Sequence, residues 1–218
     1  MTSAVLTIAS KNYGSWSLRG WLLCRMAGLA FEERTLAPDD PNARAELLLL
    51  SPSFLVPSLE HAGVRVWDTL AIAEYLAEIK PKAQLYPTDT KARAHCRSVS
   101  GEMHSGFVNL RSAMPMNVKA RYPGHKVFAG AKADIDRIGE IWRECLSAYG
   151  GPYLFGKAPT VADAMYAPVA SRFTTYDVHI DRPCDAYVRT IMKWPPMEEW
   201  CAAAESEPDE FEELDVEF

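Results

Sequence analysis

Residues 56–76 constrain this chain more than any other stretch. Val56-Pro57-Ser58-Leu59 sets a proline immediately before a short apolar strand. A ribbon of Ser58 to Glu60 and Val64 to Val66 turns through His61-Ala62-Gly63, and Trp67-Asp68-Thr69-Leu70-Ala71-Ile72-Ala73-Glu74-Tyr75-Leu76 opens a helix. Proline fixes its own φ and donates no amide, so the backbone beside it is rigid. The start of the helix presents unbonded amides and the positive end of its dipole. A rigid extended backbone next to such a helix start can hold a short peptide and its carboxylate at once.

Around that stretch, residues 1–79 read β-α-β-α-β-β-α. Ala4, Leu6 and Ile8 alternate with Val5 and Thr7 in a first strand. Ser17 is expected to start a helix with Leu18, Trp21, Leu22 and Met26 on one spacing, and Gly28 to stop it. Phe31 to Leu36 predicts a second strand, placed at a sheet edge by its polar Glu32-Glu33-Arg34 centre. Pro41 to Leu50 predicts a short helix before Ser51-Pro52. Beyond the proline-punctuated Lys80-Pro81-Lys82-Ala83-Gln84-Leu85-Tyr86-Pro87 the period is helical almost throughout. Ile135, Ile138, Ile141, Trp142, Cys145, Leu146 and Tyr149 step by threes and fours up to Gly150-Gly151-Pro152. Thr160-Val161-Ala162-Asp163 is a capping-box pattern, and Pro168 within the following helix predicts a kink or a lost hydrogen bond. Pro195-Pro196 opens a last helix. The expected division is a sheet-containing half at 1–80, a link at 81–88 and an all-helical half at 89–218.

Composition narrows the function. The chain is 48% hydrophobic, enough for a large core, and has no apolar run near the ~20 residues of a membrane span. A cytoplasmic protein acting away from membranes is expected. The net charge of −6 is concentrated in the tail: residues 205–218 carry eight acids and no base, which leaves the rest at +2. No basic run speaks for nucleic acid. The tail reads as a solvated, partly frayed terminus, with a docking segment as the alternative. Five scattered cysteines without a C-x-x-C pair fit reduced core thiols, and neither they nor His125 and His179 have metal-ligand spacing.

With Asn12-Tyr13-Gly14-Ser15-Trp16-Ser17-Leu18-Arg19 before the first helix, the chain resembles the cytosolic glutathione transferase family over nearly its whole length, in a bacterial-type member with a serine in this loop. That resemblance implies an α/β thioredoxin-like N-terminal domain on a mixed four-stranded sheet, joined to an all-α C-terminal domain. It implies glutathione as co-substrate without a metal, a small-molecule electrophile as second substrate, and a homodimer. It also implies that the Val56–Pro57 bond is cis, with Val56 pairing its backbone to the ligand's. Asp68 would then accept the ligand ammonium, while Thr69 offers hydroxyl and amide to its carboxylate. Asp68 also suits a helix N-cap, and the two roles are compatible. Relatives often carry Gly and then Lys or Gln just before Val-Pro. Phe54-Leu55 stand there in this chain, and a missing charge-assisted contact of that kind weakens binding by ~1.5–3 kcal/mol.

The group that activates the thiol should lie between the first strand and the first helix, where a hydroxyl can donate to a thiolate near a helix N-terminus. Ser15 is the first choice, in the turn before the helix. Tyr13 is its rival, Asn12 can act through its amide, and Ser17 is better explained as the N-cap. No cysteine lies between residues 10 and 20, which disfavours thiol–disulfide exchange. For the second substrate, Met103, Phe107, Arg111 and Met114 fall at helical spacing on one face, although such a stripe is more often plain core. Arg111 needs an anionic partner, either Glu102 or a substrate carboxylate. His104 reads as a hydrogen-bonded helix residue.

The leading expectation is nucleophilic addition of the glutathione thiolate to small hydrophobic electrophiles. A second is a glutathione-dependent isomerase of an unsaturated diacid, with Arg111 or Arg172 on a carboxylate, although the loop lacks that class's Ser-Ser-Cys run. A third is a non-catalytic binding protein on the same fold.

Overall fold

The computed structural model describes residues 4–37, 40 and 56–207. Its first part contains β1 (Ala4–Ile8), α1 (Ser15–Met26), β2 (Phe31–Thr35), β3 (Ser58–His61), β4 (Val64–Trp67) and α2 (Thr69–Ile79). The strands form one mixed sheet in the order β2-β1-β3-β4. β1 runs parallel to β2, with Ala4 opposite Phe31 and Ile8 opposite Thr35, and antiparallel to β3. A parallel neighbour requires a crossover, which α1 supplies. Central β1 is buried at Ala4, Leu6, Thr7 and Ile8, whereas Glu32, Glu33 and Arg34 of edge strand β2 face solvent as their polarity demands. β3 and β4 pair one residue further than expected, His61 with Val64. The turn shrinks to Ala62 and Gly63, both at positive φ, as a two-residue hairpin requires.

Helix α1 starts at Ser15, two residues before the expected start at Ser17, and is buried from Ser15 to Cys24. Gly20 in its middle explains how the next segment reaches it. A Cβ there would lie 2.7 Å from both Cβ and Cγ of Pro57, so Pro57 packs directly on the α1 backbone.

After a 3-10 turn at Pro81–Ala83 the structure is helical: α3 (Thr90–Ser105), α4 (Val108–Ala113), α5 (Ala129–Tyr149), α6 (Val161–Thr175), α7 (Arg182–Met192) and α8 (Pro195–Glu205). The order of sheet and helices is that of a thioredoxin-like N-terminal domain followed by an all-α C-terminal region. α6 is its axle, buried at every position but Thr174 and packed against α1, α3 and α7. It runs through Pro168 without ending. Its start is the capping box that the sequence predicts: Asp163 accepts from the Thr160 amide at 2.7 Å, the Thr160 hydroxyl at 3.1 Å, the Leu154 amide at 3.0 Å and the Tyr187 hydroxyl at 3.1 Å. The five cysteines are free thiols. Among the described residues no helix is long and apolar enough to cross a membrane. The expected helix at Pro41 to Leu50, the pair Phe54-Leu55 and the tail after Glu207 lie outside the described residues.

Candidate functional site

Two helix starts face the seam between the sheet and the helical region. The first is that of α1. Gly14 caps it and, having no side chain, supplies no capping oxygen of its own. Ser15 is the first helical residue, not a turn residue as expected; it is 2% exposed, and its hydroxyl bonds no described residue. Ser17 is not the N-cap. It lies inside the first turn with its hydroxyl 2.9 Å from the Ala9 amide, which it accepts. Asn12 is turned toward the helical region, its side-chain oxygen accepting the Lys119 amide at 3.0 Å. Tyr13 is buried in the same loop.

The second start is that of α2. Asp68, at φ +73°, caps it: Oδ1 accepts from the Leu70 amide at 2.8 Å and the Ala71 amide at 3.3 Å. Oδ2 meets Nε2 of His104 in α3. Burial alone would raise the Asp68 pKa, but the His104 hydrogen bond and charge, with the two amides, outweigh it and hold the carboxyl below its ordinary value. With 31% of its side chain exposed, Asp68 can still accept a further donor. Thr69 beside it is 1% exposed, and its Oγ1 has no hydrogen-bond partner among the described residues, an orphan that costs about 1–3 kcal/mol unless satisfied. The Val56–Pro57 bond is cis, as the resemblance implies, and Val56 is buried.

Trp16 joins the two starts. Its ring lies 5.0 Å from that of His104, which in turn holds Asp68. The guanidinium of Arg19 sits 4.4 Å from the Trp16 ring centroid and that of Arg111 5.5 Å. Arg19 also donates to the Met165 carbonyl of α6 at 2.8 Å, fixing α1 to the helical region. Arg111 does not pair with Glu102, because Arg137 takes that carboxylate with two bonds of 2.7 and 3.0 Å. Burial lowers the Arg111 pKa, only partly offset by Asp134. Buried Arg172 is spent on the main chain, bonding the carbonyls of Met114 and Pro168, and its pKa is lowered to about 10, by burial first and by the charge of Arg111 second.

The substrate stripe is not one helical face. Gly106 ends α3, Phe107 adopts a left-handed φ of 58°, and Met114 lies just past α4. Met103 and Met114 are 0% exposed and belong to the core, whereas the Arg111 guanidinium lies over the Trp16 ring. No group of histidines, cysteines and acids able to hold a metal occurs among the described residues. Trp16 and Arg19 stand in the Asn12–Arg19 motif without a role assigned from sequence, and Gly20 just beyond it has none either. Gly20 alone carried a usable signal, as a glycine inside an otherwise well-formed helix pattern.

The family model described as "Glutathione S-transferase, N-terminal domain" matches residues 13–79, and "Glutathione S-transferase, C-terminal domain" matches residues 118–203. This chain belongs to the glutathione S-transferase family. It is 28% identical over 165 residues to "Probable maleylacetoacetate isomerase" of Caenorhabditis elegans, covering 73% of this chain and 75% of that one. It is 29% identical over 207 residues to "Maleylacetoacetate isomerase" of Rhizobium meliloti (strain 1021), covering 81% and 93%. A glutathione transferase homolog from Burkholderia GL BGR1, solved with bound glutathione, superposes with a TM-score of 0.69 at 19% identity, covering 94% of this chain and 100% of that one.

Proposed function

We propose that this glutathione S-transferase family member adds the thiolate of glutathione to a small electrophile bearing a carboxylate, with Ser15 as the residue that holds the sulfur. The observation that carries the reading is the contact path Ser15–Trp16–His104–Asp68–Thr69. It links a helix start capped by a glycine to a helix start with an orphaned hydroxyl through one tryptophan ring. Asp68 receives the ligand ammonium and Thr69 the adjacent carboxylate, each beside the α2 dipole. Val56 offers main-chain pairing between them. At the other end the Ser15 hydroxyl and the positive end of the α1 dipole stabilise negative charge on sulfur, which lowers the thiol pKa and raises the thiolate fraction at neutral pH. Tyr13 stays the rival hydroxyl on the same loop. Arg111, buried with no carboxylate bonded to it among the described residues, supplies the anion contact for the second substrate. A second copy of the chain is proposed as partner on family grounds alone.

Isothermal titration with glutathione tests the core of this. Saturable heat, competed by an S-alkyl glutathione, is expected; no heat and no competition would reduce the chain to a non-catalytic relative.

A second reading has its own support. The Arg111 cation, bonded to no carboxylate among the described residues, and the isomerase names of two relatives suit isomerisation of an unsaturated diacid, in which the thiolate adds and then leaves. Product analysis separates the two. Addition consumes one glutathione per turnover, whereas isomerisation returns it.

A further inference from the structure

We propose that Glu207 is a positioning residue for the loop that carries the thiol-activating group, a latch by which the end of the helical region sets the sulfur site; the catalytic part of this rests on the function proposed above. Glu207 follows α8, close to two hundred residues from the loop it touches. Its Oε2 accepts the Ser10 hydroxyl at 2.7 Å and the Asn12 amide at 3.1 Å, and its Oε1 accepts the Lys11 amide at 2.7 Å. One carboxylate thus gathers three donors from three successive residues.

The geometry leaves Ser10 little choice. Its oxygen already accepts the amides of Asn12 at 3.0 Å and Tyr13 at 3.3 Å, so its proton points to Glu207. The Ser10 carbonyl accepts the Gly14 amide at 2.9 Å, which carries the turn directly into Ser15. Other contacts from the helical region hold the same loop from the carbonyl side. Trp200 donates to the Lys11 carbonyl at 2.9 Å, and Val118 and Lys119 donate to the main-chain and side-chain oxygens of Asn12. Lys119 also reaches back, its Nζ donating to the Glu207 carbonyl at 2.7 Å, which anchors the latch itself. Bonds to a carboxylate are the strong kind, and a loop with both its amides and its carbonyls held has one conformation.

Glu207→Ala in the full chain tests this in two independent ways. Hydrogen exchange of the segment spanning residues 10–17 is expected to speed by about tenfold while α6 is unchanged, since the lost bonds are charge-assisted. With glutathione, kcat is expected to fall about tenfold, its pH profile to move toward higher pH, and KM for the electrophile to stay put. Added acetate should restore part of both. Unchanged exchange overturns the latch. Faster exchange with unchanged kcat and pH profile overturns the positioning role. Should Glu207→Ala fail to fold, Glu207→Gln keeps the shape, removes the charge and is judged by the same criteria. If the parent chain shows no glutathione turnover, the function falls, and exchange alone still decides the latch.

Discussion

Helices α1 and α6 lie packed together and begin in opposite ways. α6 starts with every donor taken: Thr160 and Asp163 cap each other, and the carboxylate of Asp163, 0% exposed, also holds Leu154 and Tyr187. α1 starts with a glycine cap that supplies no side-chain oxygen of its own, and with a serine hydroxyl that bonds no described residue. A closed helix start contributes stability, whereas an open one keeps its field for something that arrives later. α2 stands between them, because Asp68 caps it and still has room for another donor.

Asp163→Ala should show the closed start most strongly. It leaves buried amides and hydroxyls without an acceptor, and a loss of about 3–5 kcal/mol is expected. At 2–4 °C per kcal/mol for a chain of this size, that is roughly 6–20 °C in Tm, read by thermal melting. Ser15→Ala should do the reverse. Stability should hardly change, while kcat/KM for glutathione falls about a hundredfold, as when one donor to a developing anion is removed. A Ser15→Ala enzyme with full turnover and an unshifted pH profile would move the role to Tyr13.

What the sequence reveals of these features depends on how local they are. The Thr160–Asp163 box, the Asp68 cap and the polar edge strand at Glu32-Glu33-Arg34 are each written within four residues, and each lies where the pattern puts it. The start of α1 was misplaced because the hydroxyl of Ser17 answers the Ala9 amide across eight residues, a bond no local pattern contains. Arg111 lost its expected partner because Arg137, on another helix, competes for Glu102 with two bonds. The broken stripe had a visible cause. Gly106 closes α3 where a Cβ would stand 2.7 Å from the Glu102 carbonyl oxygen, and reading through that glycine turned two helices into one. His104 on Asp68 and Glu207 on the Ser10 loop join residues 36 and 197 positions apart, and only the fold could supply them.

The approach of Pro57 to α1 gives a third, smaller test. Gly20→Ala drives a methyl into the Pro57 ring at 2.7 Å, and overpacking of this kind costs about 1–3 kcal/mol. Because the displaced residue lies next to Val56, KM for glutathione should rise together with the loss of Tm. A variant that melts earlier but keeps its KM would separate core packing from the peptide-binding edge.

The finest distinction lies between the two acidic caps, whose pKa values move in opposite directions. Burial pushes Asp163 up to about 6 in spite of its donors. Its folded pKa exceeds the unfolded value of about 3.9, so its contribution to stability is complete below pH ~4 and fades as pH rises toward 6. Asp68 is depressed by His104 and the α2 amides, so its contribution is complete above pH ~4 and fades only as pH falls through the lower folded value. Asp68→Asn keeps an N-cap oxygen and should cost only a few tenths of a kcal/mol at neutral pH, while Asp68→Ala should cost about 1 kcal/mol. Denaturant melts at pH 7 and pH 3 read the difference. The penalty of Asp68→Ala should shrink at pH 3, because there the unfolded chain already binds the proton that the folded carboxyl resists. A penalty equal at both pH values would mean that the cap works without its charge, and that His104 serves as a spacer and not as a counter-ion.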